Sequence, residues 1–230
     1  MELLSIIVPV YNEASTVQQV IDRLLEVPLP VAREIVVVDD GSTDGTGAVL
    51  DRIPARPGVL SVLHAGVNGG KGSAVRRGLR HATGTIVAIQ DADLELDPVQ
   101  LAELVRPILA GEAEVVYGSR FLAGRPSGPM LSIAANRLLT AVTNRLFGSA
   151  LTDMETCYKI MRAGVAQGLE LKSNRFDIEP EITAKLLRGG HRILERPVRF
   201  VARSRTSGKK IGWRDGVHAL VVLVKYRFLR

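Results

Sequence analysis

The chain has 230 residues, of which 46% are hydrophobic and 4% aromatic, and it contains a single cysteine. This composition predicts a soluble globular protein with a sizeable core, and it excludes a disordered chain, a collagen and a disulfide-stabilised scaffold. Residues 185–230 carry 13 basic and two acidic residues, whereas residues 1–184 carry 17 basic and 22 acidic residues. An acidic body with a basic C-terminal fifth predicts that one end contacts an anionic partner, such as a phosphate, a nucleic acid or a membrane surface.

The N-terminal residues and the hydropathy of the chain bear on its location. Met1-Glu-Leu-Leu4 lacks the basic region and cleavage site of a secretory signal, and the lone Cys157 has no partner for an intramolecular disulfide. The longest uncharged stretch, which ends at Gly70, is short and contains polar residues, whereas a membrane-spanning helix needs roughly 18 apolar residues. We therefore expect a cytoplasmic protein that does not itself cross a bilayer.

The first 120 residues alternate short β-branched runs with segments of helical periodicity. The predicted elements are a strand at 5–10, a helix with apolar positions between 17 and 25, a strand at 34–39, a helix at 43–53, a strand at 59–64, a helix at 73–81, a strand at 85–90, a helix at 97–110 capped by Asp97-Pro98, and a strand at 114–119. This order predicts an α/β fold with a mostly parallel sheet, helices on both faces and right-handed crossovers.

Beyond residue 120 the pattern changes. A loop of turn formers at 124–129 precedes a long helix at 131–147, a helix at 178–188, a short strand pair at 192–195 and 198–203 broken at Pro197, and a closing helix at 215–228. No repeat, low-complexity tract or long linker separates these elements from the first half. We therefore expect one domain with a functional C-terminal extension.

Two carboxylates follow the strand predicted at 85–90, in the sequence Asp91-Ala-Asp93. In open parallel sheets ligands bind at the carboxyl ends of the strands, so both acids are expected to face one crevice. Oxygen ligands of this kind suit Mg²⁺ or Mn²⁺ shared with substrate phosphates. A turn with solvated acids is the alternative, and the position at a strand end favours metal binding.

Polar residues also follow the first two predicted strands. Asp40 can accept hydrogen bonds from a base or a ribose, Tyr11 can stack on a base, and Glu13 can bind a ribose hydroxyl. Each residue alone is equally well explained by a turn or a helix start, and only their joint placement favours a nucleotide site. Gly69-Gly-Lys-Gly-Ser73 places Lys71 at a helix start, which suits a phosphate, but the spacing is not that of a Walker A loop and a plain loop is favoured.

Several motifs together resemble those of the inverting family 2 glycosyltransferases of the GT-A fold. They are Pro9-Val-Tyr-Asn-Glu13, Val38-Asp-Asp-Gly-Ser-Thr-Asp-Gly45, Lys71-Gly-Ser-Ala74, Asp91-Ala-Asp-Leu-Glu95 and Gly118-Ser-Arg120. Three later motifs resemble the branch that contains dolichol-phosphate mannosyltransferases and bacterial polyprenyl-phosphate glycosyltransferases. They are Leu151-Thr-Asp-Met-Glu-Thr-Cys-Tyr-Lys159, Phe176-Asp-Ile-Glu-Pro-Glu181 and Arg203-Ser-Arg-Thr-Ser-Gly-Lys-Lys210. The resemblance covers about residues 4–212.

The resemblance implies a metal-dependent, inverting transfer of a hexose from a nucleotide diphosphate sugar of the GDP-mannose or UDP-glucose type to a polyprenyl or dolichyl phosphate. Residues 1–120 would form the nucleotide-sugar and metal half, and residues 121–230 the acceptor half with an amphipathic C-terminal helix. The implied site residues are Pro9, Tyr11, Glu13, Asp40, Lys71 and Asp91 for the nucleotide sugar, Asp91, Asp93 and Glu95 for Mg²⁺ or Mn²⁺, Arg120, Arg203, Arg205 and Lys209 for the acceptor phosphate, and Asp93, Asp153 and Arg120 for catalysis. Two positions depart from the branch, because Glu95 stands where Gln is frequent and Met130-Leu-Ser132 stands where a basic acceptor contact is expected.

Two acceptor chemistries remain open. A hydroxyl acceptor requires a general base, for which Asp153 is the candidate. A phosphate monoester has a second pKa of about 6 and needs cations rather than a base. The basic cluster favours the lipid phosphate, with Asp153 orienting basic side chains, and a solvated basic face is the alternative. The cluster comprises Arg199, Arg203, Arg205, Lys209, Lys210 and Arg214.

The closing helix has an apolar row at helical spacing with basic residues around it. The row is Val217, Leu220, Val221, Val224 and Phe228. It fits either a bilayer interface, which would make the protein peripheral on the cytoplasmic face of a membrane, or docking on the protein's own core, which is favoured for most of its length.

A non-catalytic nucleic-acid-binding module is a further alternative. The few aromatic residues and the acidic strand ends argue against it, so no nucleic-acid partner is expected. A nucleotidyltransferase is disfavoured because the first strand ends without that class's glycine-rich loop. The sequence does not indicate an oligomeric state.

Overall fold

The computed structural model describes residues 2–54, 56–124, 126–202 and 213–228. The predicted acceptor-phosphate residues Arg203, Arg205 and Lys209 therefore lie outside the described residues, as does Lys210 of the basic cluster.

Sixteen segments of regular structure are named in the described residues. They are β1 (Leu3–Val10), α1 (Val17–Glu26), β2 (Ala32–Asp39), α2 (Thr46–Leu50), β3 (Leu60–His64), α3 (Lys71–His81), β4 (Ile86–Ile89), a 3₁₀ turn (Pro98–Gln100), α4 (Leu101–Leu109), β5 (Val115–Ser119), α5 (Met130–Phe147), β6 (Lys159–Arg162), α6 (Ala163–Gly168), α7 (Ile178–Arg188), β7 (Ile193–Pro197) and α8 (Trp213–Phe228).

The seven strands form one sheet in the order β3-β2-β1-β4-β6-β5-β7. Four of its six pairings are parallel, and β6 is antiparallel to both β4 and β5. The predicted α/β fold with a mostly parallel sheet flanked by helices is confirmed. Strands from both halves of the chain contribute to the sheet, because β6 lies between β4 and β5.

Burial of the central strands explains their composition. Ile35, Val36, Val37 and Val38 of β2 are all completely buried, as is typical of a parallel strand that helices cover on both faces. The 3₁₀ turn before α4 begins at the predicted cap, where a carboxylate oxygen of Asp97 accepts a hydrogen bond from the Val99 amide.

Two features of the second half differ from the prediction. The sequence predicts a strand pair at 192–195 and 198–203, but only the first strand forms, as β7, and it pairs in parallel with β5. In the described part of the second segment, Phe200 makes one isolated bridge with Leu96, so the strand pair is wrong. Strand β6 and helix α6 were not predicted, because each is too short to show a period.

Helix α8 packs against α5 and α7 through a face other than the predicted one. Ala219, Val222 and Leu223 are buried. The expected docking of this helix on the protein's own core is therefore confirmed, but most of the predicted apolar row does not take part. Val221 and Phe228 are 59% and 69% exposed, and Val217 and Val224 are each 48% exposed. Among the described residues, we find no helix with the length and apolar character that crossing a membrane requires.

Candidate active site

The loops that follow β1 and β2 are joined by hydrogen bonds. The Asn12 amide donates to Ser42 Oγ at 3.0 Å, and Asn12 Oδ1 accepts from the Thr43 amide at 2.8 Å. The Glu13 amide donates to Thr46 Oγ1 at 2.9 Å. The predicted nucleoside-binding residues Tyr11 and Glu13 of the first loop are therefore held beside the second loop, at the carboxyl ends of both strands. Pro9, the third of the set, lies within β1 opposite Val38 of β2.

Glu13 is 6% exposed, and Thr16 connects its carboxylate to the turn after β4. Thr16 Oγ1 lies 3.0 Å from Glu13 Oε2 and 2.7 Å from the carbonyl oxygen of Ala92. This contact connects the predicted nucleoside loop to the predicted metal turn, Asp91-Ala-Asp93. The structure thus brings together residues that the sequence placed on separate strands.

The side chain of Asp40 stabilises the loop that precedes α3. Its two carboxylate oxygens accept hydrogen bonds from the amides of Gly69 and Gly70 at 3.0 and 2.7 Å. Burial raises the pKa of this carboxyl, although the two amide hydrogen bonds favour its charged form. Asp40 therefore fixes the loop that leads into α3, and its predicted role in nucleoside binding stays a prediction.

The glycines around Lys71 are needed for close packing of α3. A Cβ atom at Gly70 would lie 2.5 Å from the carbonyl oxygen of Asn174, and one at Gly72 would lie 2.4 Å from that of Ser173. The Ser73 amide already donates to the Asn174 carbonyl oxygen at 3.0 Å. The amides of Gly69, Gly70 and Ser73 are thus bonded within the protein. The group that this loop can offer to a bound anion is therefore the side chain of Lys71.

Lys71 lies between two acids. Its Nζ atom is 2.8 Å from Asp91 Oδ1 and 2.9 Å from Glu179 Oε1. Burial alone would lower the pKa of Lys71, but the neighbouring carboxylates outweigh it and raise this pKa well above its ordinary value. For Asp91, burial is likewise outweighed by Lys71, which lowers the pKa of the acid. Both groups are therefore charged at neutral pH.

Glu179 and Lys159 extend this pair into a buried network. Lys159 is completely buried, and its Nζ atom binds the second carboxylate oxygen of Glu179 and the carbonyl oxygens of Met154 and Thr156. Glu179 is 4% exposed. Neither residue is among the site residues predicted from the sequence, although both fall in motifs that resemble those of the family. Two features of the sequence could have identified them. Lys159 is a charged residue in an otherwise apolar strand, and Glu179 is an acid in the first turn of α7.

The turn after β4 offers oxygen donors that fit a divalent cation. The side chain of Asp91 is 27% exposed, and Asp93 Oδ1 accepts a hydrogen bond from the Glu95 amide at 3.1 Å. In the part of the chain that the structure describes, no three His, Cys, Asp or Glu side chains converge on a metal position. The structure does not bring Asp91, Asp93 and Glu95 together as a three-carboxylate site, and ligation by Glu95 stays a prediction. The donor set suits Mg²⁺ or Mn²⁺ that completes its coordination with phosphate oxygens and water.

Arg120 and Asp153 form a bidentate ion pair. Arg120 Nε and Nη2 lie 2.7 and 2.8 Å from the two Asp153 oxygens. The Arg120 amide and Asn136 Nδ2 donate to the same carboxylate at 2.9 and 3.1 Å. The amide of Asp153 is held in turn by Glu195 Oε1 at 3.0 Å. Asp153 is completely buried, and four donors hold its carboxylate.

Glu155 lies in the turn that follows Asp153. Burial raises its pKa to about 7, and its charged neighbours are Lys159, Glu179, Arg120 and Asp153. Its atom Oε1 is buried without a hydrogen-bond partner among the described residues. In the sequence Glu155 resembles any surface acid, and only its burial in the fold distinguishes it.

Comparison with known proteins bears on this site. The family model described as Glycosyl transferase family 2 matches residues 5–169. The undecaprenyl-phosphate mannosyltransferase of Micrococcus luteus is 31% identical over an alignment of 218 positions, and the alignment covers 90% of this chain and 86% of that protein. The polyprenol monophosphomannose synthase of Mycolicibacterium smegmatis is 29% identical over an alignment of 220 positions, and the alignment covers 90% of this chain and 82% of that protein. Glycosyltransferase AglD of Haloferax volcanii is 28% identical over 84% of this chain, which spans only 32% of AglD.

Solved structures share the fold. Glucosyl-3-phosphoglycerate synthase from Mycobacterium tuberculosis in complex with UDP has a TM-score of 0.74 at 22% identity, over 100% of this chain and 81% of that chain. Its complex with Mn²⁺, UDP and glucosyl-3-phosphoglycerate has a TM-score of 0.72 at 21% identity, over 98% and 80% of the two chains. At this identity the likeness shows the fold alone. Because the family match covers most of the sheet and every strand end described above, this chain belongs to glycosyl transferase family 2 and is a glycosyltransferase of the GT-A fold.

Proposed function

We propose that this glycosyltransferase transfers a hexose, with inversion, from a nucleotide diphosphate sugar of the GDP-mannose or UDP-glucose type to a polyprenyl phosphate. The observation that carries the choice of acceptor is the Arg120–Asp153 pair. Two of the similar proteins, those of Micrococcus luteus and Mycolicibacterium smegmatis, are named as polyprenyl-phosphate mannose enzymes, which supports the proposal.

The occupied carboxylate of Asp153 favours a phosphate acceptor over a hydroxyl acceptor. A general base needs a lone pair within reach of the proton that it removes. Both oxygens of Asp153 already accept hydrogen bonds, from Arg120 and Asn136, and the side chain is completely buried. A phosphate acceptor is already anionic at neutral pH and needs a positioned cation, which Arg120 supplies. Asp153 is then a positioning residue for Arg120.

Residues 1–120 would bind the donor and residues 121–230 the acceptor, within one domain, and Arg120 at the boundary would contact the acceptor phosphate. The nucleoside would lie against Pro9, Tyr11, Glu13 and Asp40 at the ends of β1 and β2. The diphosphate would lie at the turn after β4, where Asp91 and Asp93 would hold Mg²⁺ or Mn²⁺. When bound, such a cation stabilises the charge that develops on the leaving diphosphate. Lys71, next to Asp91, adds a fixed positive charge at the same place.

The acceptor's lipid requires a membrane surface, and the helices of the second half are suited to one. The N-terminal end of α5 exposes Met130 and Leu131, at 72% and 83%, within two turns of Asn136, which contacts Asp153. Helix α8 exposes Val221 and Phe228 together with the basic side chains of Lys225 and Arg227. An exposed apolar face with cations around it fits the interface of an anionic bilayer. We propose that the protein binds the membrane peripherally through α5 and α8.

A transfer assay tests the proposed function. The protein is incubated with labelled GDP-mannose or UDP-glucose, Mn²⁺ or Mg²⁺, and either a polyprenyl phosphate or the matching polyprenol. We expect a lipid-linked sugar with the phosphate alone, lost on chelation and in Asp93→Ala but kept in the surface control Asp22→Ala. Sugar transfer to the polyprenol would establish a hydroxyl acceptor, and no lipid product with any common donor would overturn the proposal.

A further inference from the structure

Glu181, in the first turn of α7, accepts hydrogen bonds from three separate parts of the chain. The residue is completely buried. Its Oε1 atom lies 2.7 Å from Lys185 Nζ and accepts a hydrogen bond of 2.7 Å from the Tyr226 hydroxyl, while Oε2 accepts one of 2.6 Å from the Ser173 amide. The Lys172 amide donates to both oxygens, at 2.9 and 3.1 Å. Both oxygens are therefore occupied, so Glu181 does not itself contact a substrate.

The carboxyl group of Glu181 is charged at neutral pH. Burial alone would raise its pKa, but the hydrogen bonds from Lys185, from Tyr226 and from the two amides outweigh burial and lower this pKa. Hydrogen bonds from backbone amides to a charged carboxylate are shorter and stronger than those to a neutral acceptor. Glu181 therefore fixes the main chain of residues 172–173 firmly to α7.

The segment 172–174 supports the start of α3. The carbonyl oxygen of Asn174 accepts a hydrogen bond of 3.0 Å from the Ser73 amide. The carbonyl oxygen of Ser173 would lie only 2.4 Å from a Cβ atom at Gly72, so the segment and the helix touch without room for a side chain. Because packed interiors transmit displacements, a shift of this segment also shifts the first turn of α3.

Lys71 is the first residue of α3, so the segment 172–174 determines the position from which its side chain extends. Its Nζ atom lies 2.8 Å from Asp91 Oδ1 and 2.9 Å from Glu179 Oε1. The side chains of Lys71 and Asp91 are 12% and 27% exposed, which leaves both accessible to a bound diphosphate. The first turn of α7 thus holds Lys71 twice, because Glu179 binds its ammonium group and Glu181 fixes the segment that supports its main chain.

We propose that Glu181 and its hydrogen-bond donor Tyr226 are positioning residues for the donor diphosphate, since they fix Lys71 through the segment 172–174. This inference rests on the proposed function, because it takes Lys71 to contact the diphosphate of a nucleotide sugar. It also connects α8, which carries Tyr226, to the donor site. None of these hydrogen bonds involves Arg120, so the KM for the acceptor should not depend on them.

Removal of single hydroxyl groups tests this inference. Tyr226→Phe removes the donor to Glu181 and keeps the ring, whose centroid lies 4.8 Å from Lys185 Nζ. The matched control Tyr117→Phe removes a buried hydroxyl that lies 3.0 Å from Thr183 Oγ1 of the same helix α7. Calorimetry with Mn²⁺ measures the dissociation constants of UDP and GDP, and urea denaturation measures the free energy of unfolding.

We expect Tyr226→Phe to weaken the preferred nucleotide about threefold and Glu181→Gln to weaken it about tenfold. The KM for the nucleotide sugar should rise in parallel, whereas the KM for the polyprenyl phosphate should not change. Tyr117→Phe should bind the nucleotide as the wild type does, although it also loses stability. A loss of stability alone leaves the affinity unchanged, because nearly all of the protein remains native.

A double-mutant cycle tests whether the effect passes through Lys71. In a Lys71→Met background, Tyr226→Phe should no longer change the affinity, because the charge that it positions is absent. An undiminished effect in that background, or equal affinities of Tyr226→Phe and Tyr117→Phe, would overturn this inference and leave the proposed function intact. If Lys71→Met does not fold, the comparison of the two tyrosine variants decides alone. A wild-type protein that binds neither UDP nor GDP would overturn the proposed function, and this inference with it.

Discussion

Atom Nζ of Lys71 lies 2.9 Å from Oε1 of Glu179, an acid whose other oxygen binds the completely buried Lys159. Glu179 therefore balances two cations at once. The same contact holds Lys71 beside Asp91, so the acid in α7 controls the charge at the turn after β4. A functional group near the predicted metal turn thus depends on a residue far away in the chain.

Replacement of Glu179 should destabilise the protein. Glu179→Gln leaves Lys159 buried without its counter-charge, and breaking a buried pair in this way costs about 3–5 kcal/mol. Urea denaturation followed by circular dichroism measures the loss. Glu103→Gln on α4, where the side chain is 73% exposed, should change the free energy of unfolding by less than about 0.5 kcal/mol. Equal stability of the two variants would contradict the account of the network.

Arg120→Lys should impair use of the acceptor and spare the nucleotide. A lysine cannot make the two-point contact of a guanidinium with either Asp153 or a phosphate. We expect kcat/KM for the polyprenyl phosphate to fall about tenfold to a hundredfold, since a hydrogen bond to a charged group contributes about 1.5–3 kcal/mol. The affinity for the nucleoside diphosphate should not change. Arg137→Lys, an exposed substitution on α5, is the matched control.

Asp153→Asn distinguishes a positioning role from a general base. As a positioning residue, Asp153 keeps one acceptor oxygen in the Asn variant, so transfer to the phosphate acceptor should be reduced but measurable. The remaining activity should show the same pH profile as the wild type. Complete loss of turnover in a protein that still binds nucleotide would indicate a general base instead.

Glu155→Gln should make stability less dependent on pH. Burial raises the pKa of Glu155 from 4.5 to about 7, so the native state retains a proton that the unfolded state has lost between these pH values. The stability of the wild type therefore falls as pH rises through this window, by up to about 3 kcal/mol. We expect the Gln variant to have the higher Tm at pH 8 and no such advantage at pH 4. A wild-type advantage that grows with pH would contradict the assignment.

Gly72→Ala tests the close approach of α3 to the segment at 173–174. The new Cβ would lie 2.4 Å from the Ser173 carbonyl oxygen, so a backbone shift is required and we expect a loss of about 1–3 kcal/mol. Gly164→Ala in α6, where no atom beyond the adjoining residues and the backbone of the helix itself lies within 4 Å of the added Cβ, should be neutral or stabilising by up to about 1 kcal/mol. The two free energies of unfolding are compared under identical conditions.

Acidic residues introduced on the exposed face of α8 should weaken binding of the protein to an anionic membrane. Val221→Glu with Val224→Glu places two acids among exposed apolar residues, and co-sedimentation with vesicles that contain phosphatidylglycerol should fall at least tenfold. Val99→Glu, at a 53% exposed position before α4, should bind as the wild type does. Undiminished vesicle binding of the double variant would exclude α8 as the contact surface.

Local sequence patterns were sufficient to predict the fold class, several elements and most of the polar residues at the strand ends. The order of apolar runs and helical periods predicted the α/β fold, because β-branched runs buried on both faces and capped helices are encoded within single segments. The cap at Asp97, the helix at 178–188 and the acids at the strand ends were found in this way. The motif pattern also indicated the family, since these polar residues recur at fixed places relative to the strands.

The tertiary structure decided what depends on pairing between distant segments. Residues 193–197 form a parallel strand because they pair with β5. Strand β6 lies between β4 and β5, and the residue pattern within β6 alone does not predict this position. The electrostatic environment of the buried acids also depends on the tertiary structure, because nothing in the sequence distinguishes Glu179 and Glu155 from acids on the surface. Burial gives the first a structural ion pair with Lys159 and raises the pKa of the second, because desolvation acts only once the chain has folded.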